Sequence, residues 1–558
     1  MSSTKNNNNP TPLNRLFKLL KFELRTIYLI LGYAAFAGVV SLSLPLGIQA
    51  IINFIQAGEF RITMIVLISL VLASVIFAGL LNYMQMRVAE DLQQRLFTKS
   101  SFEFIYRFPR IIYTAFGSNY PPELANRFFD TMTIQKGVPK MLIDFSTAGV
   151  QILFGLILLS FYHPFFILFG VFLVALMYVV FNFSAPEGVR TSLIQSKYKY
   201  ETAHWIEEVA RNTDSFKVSG SSKLASSKHD DIVIKYLNAR ENHFKILRLQ
   251  FFKMIGFKVL VIGALLIIGG LLVVNQQMNI GQFVGAEVIV ILMVNSVEKL
   301  ILGLENVYDV LTGLEKIGNV NDLKLERFDG TTPFDPGTDL TIELTNLGLK
   351  YKGAKKKSLE GLNLTIQPKE RIFIDGTSGS GKTTLLKVVS GLILPTEGDF
   401  FINDITFNNI QIDHYRSFVG HSLIGNFPFE GSIRDNITFN NPDVKKADLD
   451  WAIEKLNLGP FIKSQSLGID TNIATQGRNI PYTVAKKIML ARAIVTKPKL
   501  LVLKDPLVEF QDGEIDEIMD FLFEPTNPWA IIVVSRNSKW ISKCDRKIYL
   551  DKGKIVES

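Results

Sequence analysis

A single cysteine, Cys544, occurs in 558 residues, which excludes a disulfide framework, a cysteine-ligated metal and a Cys-x-x-Cys redox pair. It is read as an inert cytoplasmic residue. Acidic residues are also in short supply, 52 against 60 Lys and Arg, giving a net charge of +8 and a pI near 9.1. No aromatic-basic recognition motif accompanies that excess, so nucleic acid is not expected as a partner. Polar sequence is scarcest in the first half of the chain. With 48% hydrophobic residues and a mean hydropathy of +0.23, part of the protein belongs in a lipid bilayer.

Six apolar runs are long enough to span it: Thr26 to Ile55, Ile62 to Met86, Phe145 to Tyr162, Pro164 to Ala185, Val259 to Ile280 and Phe283 to Leu304. Two long polar stretches, Arg87 to Asp144 and Pro186 to Lys258, carry dense Lys and Arg. The connections after the first, third and fifth runs, such as Gln56 to Glu59, are short and almost free of them. This asymmetry predicts that the long stretches and both termini face the cytoplasm. The first run lacks a small-residue cleavage pattern and is read as a retained span, while Asn7-Asn8-Asn9-Pro10 ahead of it is read as disordered. Glu287, inside the sixth run, is read evenly as a contact for cargo or a counter-ion and as a side chain that snorkels or pairs with a neighbouring span.

Turn residues between Glu326 and Leu340 mark a linker, after which strand signals begin. The string Gly376, Thr377, Ser378, Gly379, Ser380, Gly381, Lys382, Thr383, Thr384 is a complete phosphate-binding loop. An apolar strand pattern, Arg371 to Asp375, precedes it and a helical pattern follows it. The glycines let the backbone curl around a phosphate, the helix N-terminus adds its dipole, Lys382 reaches the terminal phosphates, and the Thr383 hydroxyl is the candidate Mg²⁺ ligand.

The order of elements, six spans with two long cytoplasmic excursions followed by a phosphate-binding-loop domain, resembles a half-size ABC exporter. Arg107 to Pro109, Asn119 to Asp130 and Glu207 to Lys217 are similar to that family's two coupling segments. The resemblance implies a membrane α-helical bundle fused to a cytoplasmic α/β P-loop nucleotide-binding domain. Its parts are an N-terminal segment (1–25), a transmembrane domain (26–315), a linker (316–337) and an ATP-binding cassette (338–558). It implies a multi-pass protein of the plasma (inner) membrane, ATP as ligand, Tyr351 as the ring that stacks on adenine, and a second half-transporter subunit, the same or a different chain, as partner.

Against the family's pattern, Ile424 stands where a glutamine precedes Phe429-Glu-Gly-Ser-Ile433, and Ile480-Pro-Tyr-Thr-Val484 stands where Leu-Ser-Gly-Gly-Gln precedes Ala491-Arg492-Ala493. Lys504 replaces the acid that holds Mg²⁺, Asp505 replaces the catalytic glutamate and is the remaining candidate catalytic residue, and Arg536 replaces the histidine that meets the γ-phosphate. The expectation is an exporter subunit that binds ATP but hydrolyses it weakly or not at all. Its alternative is a non-transporting, ATP-gated regulator or assembly platform on the same scaffold. Mg²⁺ dependence is open: Lys504 either stands in for the ion or pairs with Asp505 or a nearby carboxylate. Lipid and small-molecule export remain open, as does secretion of polypeptide through a periplasmic adaptor.

Overall fold

The computed structural model describes residues 10–58, 62–117, 120–182, 185–220, 222–423, 425 and 427–556, so Asn7 to Asn9, Glu59 and Asn119 lie outside it. The chain divides into two compact units. One takes the described residues within Met1–Pro109 and Asn119–Leu323, the other those within Arg110–Ser118 and Lys324–Ser558.

The first unit is helical. Five helical stretches are long and apolar enough to cross a membrane, namely Leu24–Gln56, Ile62–Arg110, Pro121–Ser160, Leu224–Val274 and Ile280–Asn321. The Pro164 to Ala185 run forms a further apolar helix, Phe165–Asn182, of which Phe165–Ala175 is the shorter stretch whose side chains are fully described. Side chains such as Ile62 and Phe161 are about four-fifths exposed, an apolar surface suited to lipid or to another protein. This is a membrane protein.

The first run is not one straight helix. It breaks at Leu42 into Leu24–Ser41 and Ser43–Gln56. Pro45 has no N–H to give the Ser41 carbonyl and its ring crowds that group, so the ladder is interrupted there. The long polar stretches, in turn, are largely helical continuations of the spans. The 51 residues of Leu224–Val274 reach about 75 Å at 1.5 Å each, against a hydrocarbon core of about 30 Å, so more than half of that helix stands in water. The short turn before the last helix is closed by a capping box: Asn279 Oδ1 accepts from Gln282 N–H at 2.7 Å, and Gln282 Oε1 accepts from Asn279 N–H at 3.0 Å.

Glycines let the helices Asp130–Ser160 and Ile280–Asn321 approach closely. A Cβ on Gly137 would lie 2.3 Å from Val310 Cγ2, and one on Gly155 2.7 Å from Met293. Gly155 and Met293 lie inside the apolar runs, where lipid leaves no hydrophobic force between helices and such close packing carries much of their association. Lys258 and Glu298, on neighbouring long helices, neutralise each other at 2.5 Å. Glu287 is half-buried on the last of these helices.

The second unit holds a six-stranded sheet and a four-stranded antiparallel one. In spatial order the six strands are Lys554–Val556, Arg546–Asp551, Arg371–Gly376, Ala530–Val534, Leu500–Lys504 and Val419–Ser422. All pair in parallel except the first. Parallel strands covered on both faces read as continuous apolar runs, as Leu500 to Leu503 and Ala530 to Val534 do, all buried. The four-stranded sheet, Leu359–Ile366, Ile342–Leu349, Glu397–Ile402 and Ile405–Thr406, shares a core with one face of the larger sheet.

Replacing Gly137 by leucine is expected to force the stiff Val310 side chain aside, at a cost of about 1–3 kcal/mol. A lowered melting temperature in nanodiscs, with nucleotide affinity unchanged, is the expected result.

Candidate functional site

The sheet has one functional edge. The strands Arg371–Gly376, Ala530–Val534 and Leu500–Lys504 are neighbours and run in the same direction, with Val534 opposite Lys504. Their C-terminal ends therefore meet, and ligands in open parallel sheets bind at that end. A cavity of about 650 Å³ opens there, lined by Gly376, Ser378 to Thr384, Lys504, Asp505 and Arg536, among others.

The glycine loop has the backbone shape its sequence predicts. Gly376, Gly379 and Gly381 have φ of 144°, 81° and 106°, a region that penalises any side chain. A Cβ at Gly376 would also lie 2.1 Å from the Leu550 carbonyl oxygen. The helix Lys382–Val389 starts directly after the loop, so its unpaired N–H groups point into the cavity mouth. The Lys382 ammonium folds back onto the loop and donates to the carbonyls of Gly376 (2.5 Å) and Thr377 (2.8 Å).

Of the other predicted site residues, Thr377 and Tyr351 are not among those lining the cavity. The Thr377 hydroxyl donates to Asp551 Oδ1 at 3.4 Å. Tyr351, half-buried, approaches the loop through its phenol, 3.4 Å from the Thr384 hydroxyl. Ile424 lies outside the described residues. Pro481 caps the helix Tyr482–Ile494, so that helix starts on a residue without an N–H, and Tyr482 in its first turn is 38% exposed.

Lys504 and Asp505 part company. The Lys504 ammonium donates to the Thr383 hydroxyl at 2.6 Å. Asp505, held at φ 43° and buried, instead accepts the backbone N–H of Arg536 at 2.9 Å. Burial pulls the Lys504 pKa below the usual lysine value, with Asp505 opposing and Lys382, Lys387 and Arg536 adding to the fall. The other carboxylate of the cavity, Asp375, is taken up by Lys547 (2.9 Å) and by the Gly376 N–H (2.7 Å), which together hold its pKa below the usual carboxylate value. Mg²⁺ seeks oxygen ligands, usually one or two carboxylates. Here the one candidate hydroxyl already accepts from an ammonium, and both carboxylates are engaged elsewhere. These residues do not fit the ion.

Asn436 gave no signal in the sequence. It is fully buried and holds the Phe429 to Ile433 segment, accepting from Phe429 N–H and donating to the carbonyls of Phe429 and Ser432. Arg492, the centre of Ala491-Arg492-Ala493, donates to the Asn436 carbonyl (2.6 Å) and to its side-chain oxygen (2.9 Å) and lies over the Phe439 ring.

Comparison with known proteins adds relatives. Residues 27–297 match the model of the ABC transporter transmembrane region, and residues 359–508 match the ABC transporter model. The ATP-dependent lipid A-core flippase of Neisseria meningitidis serogroup B is 29% identical over 218 residues, 39% of this chain and 35% of that protein. The alpha-hemolysin translocation ATP-binding protein HlyB of Escherichia coli is 26% identical over 284 residues, 51% of this chain and 40% of that one. The chain thus spans well under half the length of these relatives. A bacterial Atm1-family ABC exporter solved with ATP bound has the same fold, with a TM-score of 0.81 over 96% of this chain and 95% of that one, at 15% identity.

Asn436→Ala is expected to destabilise the second unit by about 2–3 kcal/mol, because the Phe429 N–H and carbonyl, the Ser432 carbonyl and one of the two Arg492 bonds lose their partner. Faster hydrogen exchange at the Phe429 amide, together with a lower denaturation midpoint, is the check.

Proposed function

Because this chain belongs to the ABC transporters, in the half-size exporter arrangement of one transmembrane region and one nucleotide-binding region, we propose that it is an exporter subunit. In this reading it binds ATP at the Gly376 to Thr384 loop, pairs with a second subunit and couples that pairing to movement of cargo across the inner membrane. The observation that carries it is the cavity at the C-terminal strand ends, where three loop glycines, a helix N-terminus and Lys382 converge. Backbone N–H groups and an ammonium there suit a polyphosphate. Tyr351 would serve as the adenine platform, its ring offering a π face to the base.

Hydrolysis is proposed to be weak. Asp505 would be the acid that polarises water, but it is shorter than glutamate and already accepts a hydrogen bond from Arg536. At the signature position, Pro481 stands at the family's serine and removes a backbone donor, and Tyr482 and Thr483 stand at its two glycines. One lost donor at a reacting phosphoryl group is worth about 3 kcal/mol, or about a hundredfold in rate. The two curated relatives are named for lipid A-core flipping and for alpha-hemolysin translocation. Both cargo classes, an amphipathic lipid and a polypeptide passed to a periplasmic adaptor, are therefore candidates here.

The deciding experiment is vanadate-sensitive ATPase activity of the purified full chain in nanodiscs, alone and with candidate partner subunits. Turnover at background alone is expected. A rate of about 1 s⁻¹ or more by the isolated chain would overturn weak hydrolysis. Nucleotide binding that moves neither lipid nor polypeptide in proteoliposomes, with any partner, would favour the regulator instead. For binding itself, Lys382→Ala is expected to weaken ATP affinity by at least about tenfold in calorimetry, since it removes the main side-chain charge of the loop.

A further inference from the structure

We propose that Lys504 is the resident counter-charge of this nucleotide site, so that the chain takes ATP in its metal-free form and does not need Mg²⁺ to hold it. The inference rests on the ATP-binding function proposed above and specifies which form of the nucleotide that site accepts.

The first support is positional. The strand Leu500–Lys504 is fully buried up to Leu503 and is locked between two parallel neighbours, so the Cα of residue 504 is set by the sheet. From that point the lysine reaches across 121 residues of sequence to the hydroxyl next to the loop lysine. At 2.6 Å this is a short charge-assisted hydrogen bond in which Thr383 accepts. A divalent ion on the same oxygen, at about 2.1 Å, would set its charges directly beside the ammonium. The two cations repel at that distance, so a metal gains this oxygen only if the Lys504 side chain swings away from it.

The second support is the charge inventory. Lys382, Lys504 and Arg536 line the cavity as cations. Its carboxylates are Asp375, neutralised by Lys547, and Asp505, which turns to the Arg536 backbone N–H. Both are held by partners other than Thr383. The positive charge that a metal normally brings with the nucleotide is already built into the wall, and metal-free triphosphate keeps the negative charge that such a wall can neutralise. The simplest rival, an internal Lys504–Asp505 pair, does not describe the geometry: each group has a different partner.

The test is ATP affinity of the purified full chain in nanodiscs, measured by calorimetry in Mg²⁺ and in excess chelator, for wild type, Lys504→Asp, Lys504→Met and Lys382→Ala. Wild-type affinity is expected to differ by less than about threefold between the two conditions, or to be tighter in chelator. Lys504→Asp should lose at least about tenfold in chelator and recover in Mg²⁺, and Lys504→Met should be weak in both. With Mn²⁺ and ATP, paramagnetic resonance should show protein-held metal in Lys504→Asp and none in wild type. If wild type binds through Lys382 but loses tenfold or more on chelation, or holds Mn²⁺, the ammonium is not replacing the ion, and ATP binding stands without it. If wild type binds no ATP in either condition, both proposals fall. Should Lys504→Asp not fold, the wild-type affinities and the wild-type Mn²⁺ signal decide alone.

Discussion

Parallel pairing of three buried strands is the constraint from which the site follows. Arg371–Gly376, Ala530–Val534 and Leu500–Lys504 lie side by side and point the same way, so whatever follows each of them is delivered to one place. The glycine loop, Arg536 and Lys504 are far apart in the chain and neighbours in the cavity for that reason alone. The residues that hold the strands, Leu500 to Leu503 and Ala530 to Val534, are apolar and buried, and they fix the backbone whatever side chain stands at the strand end. A side chain at such an edge can change without disturbing the fold, so Lys504 sits at the strand end on a backbone that its neighbours already fix.

The electrostatic character of the cavity is therefore local. Cations line it, its acids are turned outward or internally satisfied, and the nearby Phe429 to Ile433 segment is held by a neutral amide, Asn436, backed by Arg492. Cationic lining favours an anion at every stage.

Much of this was legible in the sequence where the signal is local. The loop glycines sit between a strand pattern and a helix pattern, and their positive φ values follow from that context. The apolar runs announced the membrane unit because length and composition suffice for a span. What depends on distant partners was not legible. Lys504 carries two open readings in the sequence, and its hydrogen bond to Thr383 comes only from the fold. Asn436 looks like any polar residue on a short helix until its burial is seen. The polar stretches between spans were read as excursions, yet they continue as helix, because helical periodicity with charged faces does not stop where the lipid does. Lys258 closes a polar stretch and Glu298 sits in the sixth apolar run, and only their proximity marks them as a pair.

The segment 110–118 has a consequence for dissecting this protein. Although it falls between helices of the membrane unit in the chain, its described residues belong to the nucleotide unit: Ile111 bridges to Leu325, Arg110 lies over the Phe328 ring, and the Tyr113 hydroxyl accepts from Lys387 on the helix that follows the glycine loop. A soluble fragment begun at the apparent boundary, near residue 324, is thus missing a short piece of its own structure. It would expose the backbone of Leu325 and the ring of Phe328 and leave the loop helix without a partner for Lys387. The nucleotide unit is discontinuous in the gene, and a fragment that joined 110–118 back to it by a designed linker would represent the unit more faithfully than any single cut.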